Sequence, residues 1–272
     1  MRLCYQSMTA FSAMGAYATT LRAHAAKVVL PGTEVHFQGV DPGLYGALVP
    51  GDVFPYPYLK HLIQNEALEC CLRAEHDGFD AFIIGSFSEP YLRQSRSAVD
   101  IPVISMPESA FLTACSLAEK FALITLSPKY ARRVSEVVAR HGMGPRLAGI
   151  FGLGDDLGER EASGALDDPG PMLDAFHKAA RQAIAAGADV LLPAEGILNE
   201  VVVSQGITML DGAAVMDCVG VTLMHAEMMV RAKQSLGLGC GRAWSYPLAS
   251  PAMRDELRRN AARAARERKE AP

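Results

Sequence analysis

Two apolar runs of the same pattern constrain the fold of this 272-residue chain more than any other feature of its sequence. The first extends from Gly78 to Ser86 and the second from Gly187 to Glu195, each with an aspartate in its third position. Continuous apolar runs of this length are typical of parallel strands that are covered on both faces. Superposing the two runs without a gap pairs Ser86 with Glu195, just after the two strands. Because ligands bind at the carboxyl ends of strands in open α/β sheets, these two side chains are the leading candidates for a functional site.

The rest of the sequence predicts alternating strands and helices. Further strands are predicted at 2–6, 33–37, 100–106, 121–126 and 207–210, and helices at 10–26, 59–76, 89–97, 108–119, 129–141, 171–186, 196–204 and 213–236. This order predicts a parallel sheet with right-handed crossovers, and therefore an α/β fold.

Composition limits the class of protein and its partners. Half of the residues are hydrophobic, and the net charge is only −4. Such a weak charge argues against nucleic acid or an anionic membrane as the main partner. No apolar run approaches the ~18 residues that a transmembrane helix needs, and the first residues lack the pattern of a signal peptide. We therefore expect a soluble, cytoplasmic protein.

The cysteines and histidines give no sign of a metal site. The six cysteines include the adjacent Cys70 and Cys71, but none of them has the spacing of metal ligands. The histidines show no such spacing either. We therefore predict no metal, and buried thiols that are inert in a reducing compartment.

Three segments fall outside the regular pattern. Residues 41–57 combine glycine, proline and aromatic residues, which is typical either of a functional loop such as a lid or of a surface connection with packed aromatics. Residues 152–171 are predicted to form a solvated connection. The Arg- and Ala-rich tail at 253–270 is interpreted as a solubilising or subunit-contact segment.

Several stretches resemble the aspartate/glutamate/hydantoin racemase superfamily, and specifically its hydantoin racemase branch. They are residues 31–35, 80–92 with Phe87-Ser88-Glu89-Pro90, 100–103, 187–190 and 210–212. The resemblance implies two pseudo-symmetric lobes, each a mostly parallel sheet flanked by helices, with a cofactor-independent active site in the cleft between them. It also implies a small-molecule substrate and a homo-oligomer.

The same resemblance divides the chain. Residues 1–110 and 208–252 are expected to form lobe one, with a chain crossover, and residues 111–207 are expected to form lobe two. Residues 253–272 would be a C-terminal tail.

The sequence departs from these racemases at two positions that carry their chemistry. The resemblance implies a cysteine at the end of each aspartate-containing strand. One thiolate takes a proton from the carbon beside a carbonyl, and the other thiol returns a proton to the opposite face. Here Ser86 and Glu195 occupy those positions. A serine hydroxyl is far too weakly acidic to act alone as such a base, whereas a thiol with a pKa of about 8.5 needs only modest tuning. Two-thiol racemisation is therefore excluded for this sequence.

Glu195 and Ser86 instead suit proton transfer with a single base. Partial burial in a cleft favours the neutral form of a carboxyl group and suits it to general acid–base catalysis. A serine hydroxyl facing it would donate a hydrogen bond to a developing enolate. This pair predicts an isomerase or a decarboxylase-type lyase that acts on a small carboxylate or a cyclic imide or amide. Two alternatives stay open: a hydrolase of a small amide or ester, in which Glu195 activates Ser86 or water, and a small-molecule binder without catalysis.

Other strand ends supply further candidates for contacts to the substrate. Gln6, Ser7 and Thr9 follow the first strand, where the resemblance implies contacts to a carboxylate or an imide. The remaining candidates lie at or just after the ends of other predicted strands: Ser88 and Glu89, Thr125 and Ser127, and Asp211. Residues of these types also serve as helix caps and turn residues, and that interpretation stays open for each.

Overall fold

A computed structural model describes residues 1–155 and 157–270, whose strands form two sheets. The first sheet is parallel, and its strands are β1 (Arg2–Gln6), β2 (Glu34–Gln38), β3 (Ala81–Ile84) and β4 (Val103–Ser105), in the spatial order β2-β1-β3-β4. The second contains β5 (Phe121–Thr125), β6 (Leu147–Gly152), β7 (Val190–Pro193), β8 (Met209–Leu210) and β9 (Ala213–Val215), in the order β6-β5-β7-β9-β8. Two mostly parallel sheets with intervening helices confirm the predicted α/β class.

Helices pack against both sheets. They are α1 (Gly15–Val28), α2 (Pro42–Tyr45), α3 (Pro50–Val53), α4 (Pro57–His76), α5 (Leu92–Ala98), α6 (Met106–Leu117), α7 (Ala131–Arg140), α8 (Glu159–Gly164), α9 (Gly170–Ala185), α10 (Gly196–Ser204), α11 (Cys218–Leu236) and α12 (Pro251–Glu270). Two of them join the halves of the molecule: α6 contacts both β4 and β7, and α11 contacts β3 as well as α10. Across 1–155 and 157–270, no helix combines the length and apolar character that a membrane span requires.

The two apolar runs form central strands, as predicted. Every residue of β3 and of β7 is buried. The aspartate of the first run fixes the start of its strand, because an Asp80 side-chain oxygen accepts a hydrogen bond from the Arg2 N–H at 2.7 Å. The Asp80 N–H in turn donates to the Arg2 carbonyl at 2.8 Å. These contacts set the register of β3 against β1, and with it the point at which β3 ends.

The segment from residue 207 to residue 236 differs from the prediction. It forms a short hairpin of β8 and β9, and α11 begins only at Cys218. Asp211 and Gly212 adopt φ values of 46° and 90°, the positive angles that a two-residue hairpin turn requires. Asp217 then caps α11 by accepting a hydrogen bond from the Gly220 N–H at 2.8 Å. Turn chemistry therefore outweighs the apolar pattern that suggested a helix from residue 213.

The hairpin also moves one predicted lobe boundary. Residues 208–252 are assigned to lobe one by the resemblance, but β9 pairs with β7 and β8 pairs with β9, so both extend the second sheet. The chain returns to the first sheet with α11, which contacts β3 and β4. The other lobe bounds remain predictions.

Three smaller segments also differ from the sequence patterns. Residues 41–57 contain the two short helices α2 and α3, and residues 152–171 contain α8. The helix predicted at 89–97 begins only at Leu92, because Glu89 and Tyr91 have φ values of 48° and 49°. Such left-handed angles are incompatible with a continuous right-handed helix.

Candidate active site

The carboxyl ends of β3 and β7 border one shared pocket. Ser86 lies two residues after β3 and Glu195 two residues after β7, and both half-buried residues line this pocket. Its volume is about 50 Å³. Since one water needs about 10–15 Å³ of such volume, the space suits a small organic molecule. We call this cavity, which contains Ser86 and Glu195, the reaction pocket.

The Ser86 hydroxyl is positioned by its own turn. Its oxygen lies 2.9 Å from the Ser88 hydroxyl oxygen and accepts a hydrogen bond from the Ser88 N–H at 3.2 Å. Gly85, just before it, packs so closely on Tyr5 that an added Cβ would lie 2.2 Å from the tyrosine ring. Only glycine fits there. The Ser88 N–H occupies only one lone pair of this oxygen, and either hydroxyl can be the donor in the contact between the two serines. With the Ser88 hydroxyl as that donor, the Ser86 proton is available to a ligand.

Glu195 is positioned by a strand of the same sheet. Its Oε2 accepts a hydrogen bond from the Leu126 N–H at 3.1 Å, just beyond the end of β5. Glu195 is also the residue immediately before α10, in an extended conformation with φ of −135°. The backbone therefore holds one carboxylate oxygen, and a carboxylate carries lone pairs enough to exchange a proton with a ligand as well.

Of the candidates after β1, two reach the reaction pocket. Ser7 and Thr9 line it, and the Thr9 N–H donates to the Ser7 Oγ at 3.2 Å. Gln6 is fully buried outside this lining, and its Nε2 donates to the Ser7 carbonyl at 2.8 Å. Gln6 thus supports the turn through its Nε2, while its Oε1 is buried without a hydrogen-bond partner.

The structure does not bring Thr125 and Ser127 into the reaction pocket, contrary to their predicted contact with the substrate. The Thr125 hydroxyl donates to the Ser127 carbonyl at 3.0 Å. The Ser127 hydroxyl donates to the Asp155 carbonyl at 3.3 Å and accepts from the Lys129 N–H at 3.4 Å. Both side chains therefore complete the turn that presents the Leu126 N–H to Glu195.

Among the candidates after β3, Ser88 lines the reaction pocket but Glu89 does not. Glu89 is 7% exposed and accepts a hydrogen bond from the Ser105 hydroxyl. Its carboxylate also pairs with His141 at 2.6 Å and with Arg140 at 3.5 Å. The left-handed backbone at Glu89 turns the chain away from the reaction pocket, so its side chain joins a neighbouring polar cluster.

Asp211 lies outside the pocket, and its predicted place at the cleft is wrong. It precedes β9, which runs parallel to β7, whereas Glu195 follows β7. The two carboxylates therefore lie at opposite ends of the parallel strands β7 and β9. Asp211 forms an exposed ion pair with Arg181 at 3.1 Å.

Arg133 lines the reaction pocket, although sequence reasoning missed it. Its guanidinium carbon lies 4.7 Å from the ring centre of Tyr130 and 5.3 Å from that of Phe54. Its Nε is buried without a hydrogen-bond partner. The ring faces hold the cation in place without neutralising it, which leaves its charge available to a bound anion.

The spacing of residues in α7 could have indicated from the sequence that Arg133 is buried. Arg133 stands four residues before Val137, and therefore on the helix face that carries the buried valines. An arginine on an apolar face is unusual enough to flag. Pro50 and Phe54 line the same pocket, so the irregular segment at 41–57 forms part of its wall.

The described residues that line the reaction pocket include no cysteine. Burial raises the pKa of Cys4 and that of Cys70 to about 12. Neither is therefore a thiolate at neutral pH. Within the described ranges, no group of three or more His, Cys, Asp or Glu side chains is arranged to hold a metal ion.

Two α/β sheets that share a pocket at their strand ends define a two-lobed α/β protein with a cleft site. The model of the family "Asp/Glu/Hydantoin racemase" matches residues 57–193, about half of the chain. The chain belongs to this family. A hydantoin racemase from a Pseudomonas species is 30% identical over 101 residues, which cover 37% of this chain and 40% of that protein. The predicted resemblance to the hydantoin racemase branch is confirmed, although the chain spans less than half the length of this relative.

Solved structures confirm the fold. Allantoin racemase from Klebsiella pneumoniae is similar with a TM-score of 0.73 at 19% identity, covering 92% of this chain and 95% of that one. A variant of arylmalonate decarboxylase in a sulfate-associated form is similar with a TM-score of 0.55 at 16% identity, covering 85% of this chain and 93% of that one.

Proposed function

We propose that this chain is a cofactor-independent enzyme that transfers a proton at the carbon beside a carbonyl of a small carboxylate. Glu195 is the acid and base, and Ser86 is the hydrogen-bond donor to the developing enolate. The observation that carries this proposal is that both side chains, from the ends of two different sheets, line one small pocket.

In the first step, the C–H bond breaks and its proton passes to the Glu195 carboxylate, while the electron pair moves to the carbonyl oxygen. The Ser86 hydroxyl stabilises that oxygen by donating a hydrogen bond. The backbone N–H groups at the start of α10, where Gly196 and Ile197 also line the pocket, favour negative charge there. Glu195 then returns a proton to carbon.

The same groups support decarboxylation. A C–C bond of a malonate-type substrate breaks, carbon dioxide leaves, and the electron pair forms the same enolate. Protonated Glu195 then supplies the proton to carbon. The fold similarity to arylmalonate decarboxylase supports this second reaction, because that protein shares the architecture. Isomerase and lyase therefore differ only in which bond to the reacting carbon breaks.

Proton NMR in deuterated water tests the proposal directly. Malonates with one substituent, 2-amino acids and hydantoins are incubated with the protein, and deuterium uptake beside the carbonyl is followed. We expect uptake in at least one carboxylate, with carbon dioxide release if the reaction is decarboxylation. Hydrolysis of a substrate without deuterium uptake at carbon would instead support the alternative that this protein is a hydrolase. Ligand binding without any exchange would overturn the proposal in favour of a binder.

Replacing Arg133 with methionine is expected to weaken carboxylate binding by about 10- to 100-fold, because a hydrogen-bonded charge pair is lost. Calorimetric titration with butanoate measures the effect. The matched control is Arg132→Met, whose side chain is 92% exposed on the same helix and should bind butanoate as the wild type does. Equal affinities in wild type and Arg133→Met would show that Arg133 does not hold the carboxylate.

A further inference from the structure

A second, larger pocket adjoins the reaction pocket. Its volume is about 480 Å³, and Ser88 lines both cavities. Its walls come from the turn after β3, from α4, α5 and α6, from the end of α7 and from the segment between α11 and α12. We call this cavity the basic pocket, and the residues that matter for its charge are Lys60, Glu89, Arg93, Arg96, Glu108 and Arg140.

Positive charge exceeds negative charge in the basic pocket. Its two carboxylates are already paired: Glu89 with His141 and Arg140, and Glu108 with Arg96. Lys60 and Arg93 keep no carboxylate partner among the residues in 1–155 and 157–270. An anion that enters this cavity therefore meets cations that no protein carboxylate neutralises.

Lys60 shows the effect of this excess charge. Burial lowers its pKa from the ordinary value, and the neighbouring cations Arg133 and Arg140 lower it further, against an opposing contribution from Glu136. Lys60 is thus repelled by one cation of the reaction pocket and by one cation of the basic pocket. A bound anion would relieve the repulsion among these three side chains.

Gln64 gives independent evidence for a ligand. It lines the basic pocket from α4, one turn after Lys60, and is only 7% exposed. Its Nε2 is buried and has no hydrogen-bond partner. Buried amide donors are nearly always satisfied, and a ligand oxygen in the basic pocket would satisfy this one.

We infer that Lys60 and Gln64 form a subsite for a second anionic group of the substrate. The reacting carboxylate end occupies the small reaction pocket, and a distal carboxylate or phosphate occupies the basic pocket. This inference rests on the proposed function and narrows its substrate class to small dianions. Neutral cyclic ureides would leave the subsite without its counter-charge.

Calorimetry with linear dicarboxylates from succinate to adipate tests the subsite, each compared with the monocarboxylate of equal carbon number. We expect at least one dicarboxylate to bind about tenfold tighter than its partner. Lys60→Met should remove that advantage, because it weakens the dicarboxylate far more than the monocarboxylate. Gln64→Met should weaken the dicarboxylate alone and serves if Lys60→Met fails to fold. Arg132→Met is the matched control that should behave as wild type.

Equal affinity of every pair in the wild type, or a dicarboxylate advantage that survives Lys60→Met and Gln64→Met, would overturn the inference. Inorganic phosphate distinguishes a distal substrate group from a separate anion. Competition between phosphate and the dicarboxylate but not the monocarboxylate supports the subsite, whereas Lys60-dependent phosphate binding without any dicarboxylate advantage contradicts it. Lys60-dependent dicarboxylate binding together with no proton exchange by the wild-type protein would refute the proposed function while retaining the subsite.

Discussion

Replacing His24 with glutamine is expected to lower the free energy of unfolding by about 3–5 kcal/mol near neutral pH, the usual cost of removing one partner from a buried charge pair. His24 is 9% exposed and bridges two carboxylates. Its Nδ1–H donates to Glu200 at 2.9 Å and its Nε2–H donates to Asp217 at 2.7 Å. Glu200 is itself 1% exposed, so it would remain buried without its cation.

The loss should depend on pH in a defined direction. Burial alone would lower the pKa of His24, but its hydrogen bonds to Asp217 and Glu200 outweigh burial and raise the pKa from 6.5 to about 10. Its contribution is therefore complete below pH 6.5 and disappears as the pH rises through about 10. Burial would raise the pKa of Asp217, yet the bond from His24 holds it below the ordinary 3.8, so its contribution disappears on acidification.

Urea unfolding of both proteins between about pH 4 and pH 10 measures this difference. We expect the gap between wild type and His24→Gln to be widest between the ordinary pKa values of Asp217 and His24, 3.8 and 6.5, and to shrink above that range. His76→Gln is the matched control, because that histidine is 89% exposed. A gap below about 1 kcal/mol that does not change with pH would contradict the assignment of His24 as a buried cation.

Replacing Glu195 with glutamine is expected to slow proton exchange at carbon by about 10²–10⁴-fold, the usual contribution of a positioned general base. Glutamine has nearly the same shape, and its carbonyl oxygen still accepts the Leu126 N–H. It has no carboxylate to take the proton. Butanoate affinity should change by less than about threefold, because Arg133 and the pocket walls remain.

Proton exchange rates in deuterated water, measured for wild type and Glu195→Gln at equal protein concentration, test this prediction. Glu136→Gln serves as the control, since that carboxylate is 56% exposed on α7 and lines neither pocket. Ser86→Ala should slow exchange by about 10²–10³-fold if its hydroxyl stabilises the enolate. Unchanged exchange in Glu195→Gln would remove Glu195 as the base.

The repeated apolar run made the fold and the centre of the candidate site predictable. A run that is apolar at every position must be covered on both faces, so β3 and β7 had to be central strands. The residues that follow these two strands at the same distance then lie at the carboxyl ends of the strands in the two sheets. Ser86 and Glu195 reach one pocket for this reason.

Side-chain direction at the other strand ends was not predictable, because it depends on the geometry of each turn. Thr125 and Ser127 stand at a strand end as Ser86 does, yet their hydroxyls bond to backbone carbonyls, that of Thr125 within its own turn and that of Ser127 at Asp155 after β6. Asp211 also follows a strand, but that strand is antiparallel to its neighbour. A local pattern does not reveal strand direction, and so it misplaced Asp211 at the cleft.

Arg133 was hidden for a different reason. Its place in the pocket depends on packing against Phe54, which comes from the irregular segment before α4. Contacts between segments so distant in the chain leave no periodic signal. The spacing of Arg133 with the buried valines of α7 indicated that Arg133 lies on the buried face of the helix. It did not indicate which residues of other segments pack against that face.

A crystal structure of the protein with malonate bound would show directly whether Ser86 and Glu195 act on one substrate in the reaction pocket. We expect malonate in the reaction pocket, with one carboxylate beside Arg133 and the other groups within hydrogen-bond reach, about 2.6–3.2 Å, of Ser86 and Glu195. Malonate ordered elsewhere while this pocket stays empty would contradict a shared site of Ser86 and Glu195, as would side chains of these two residues that point away from each other.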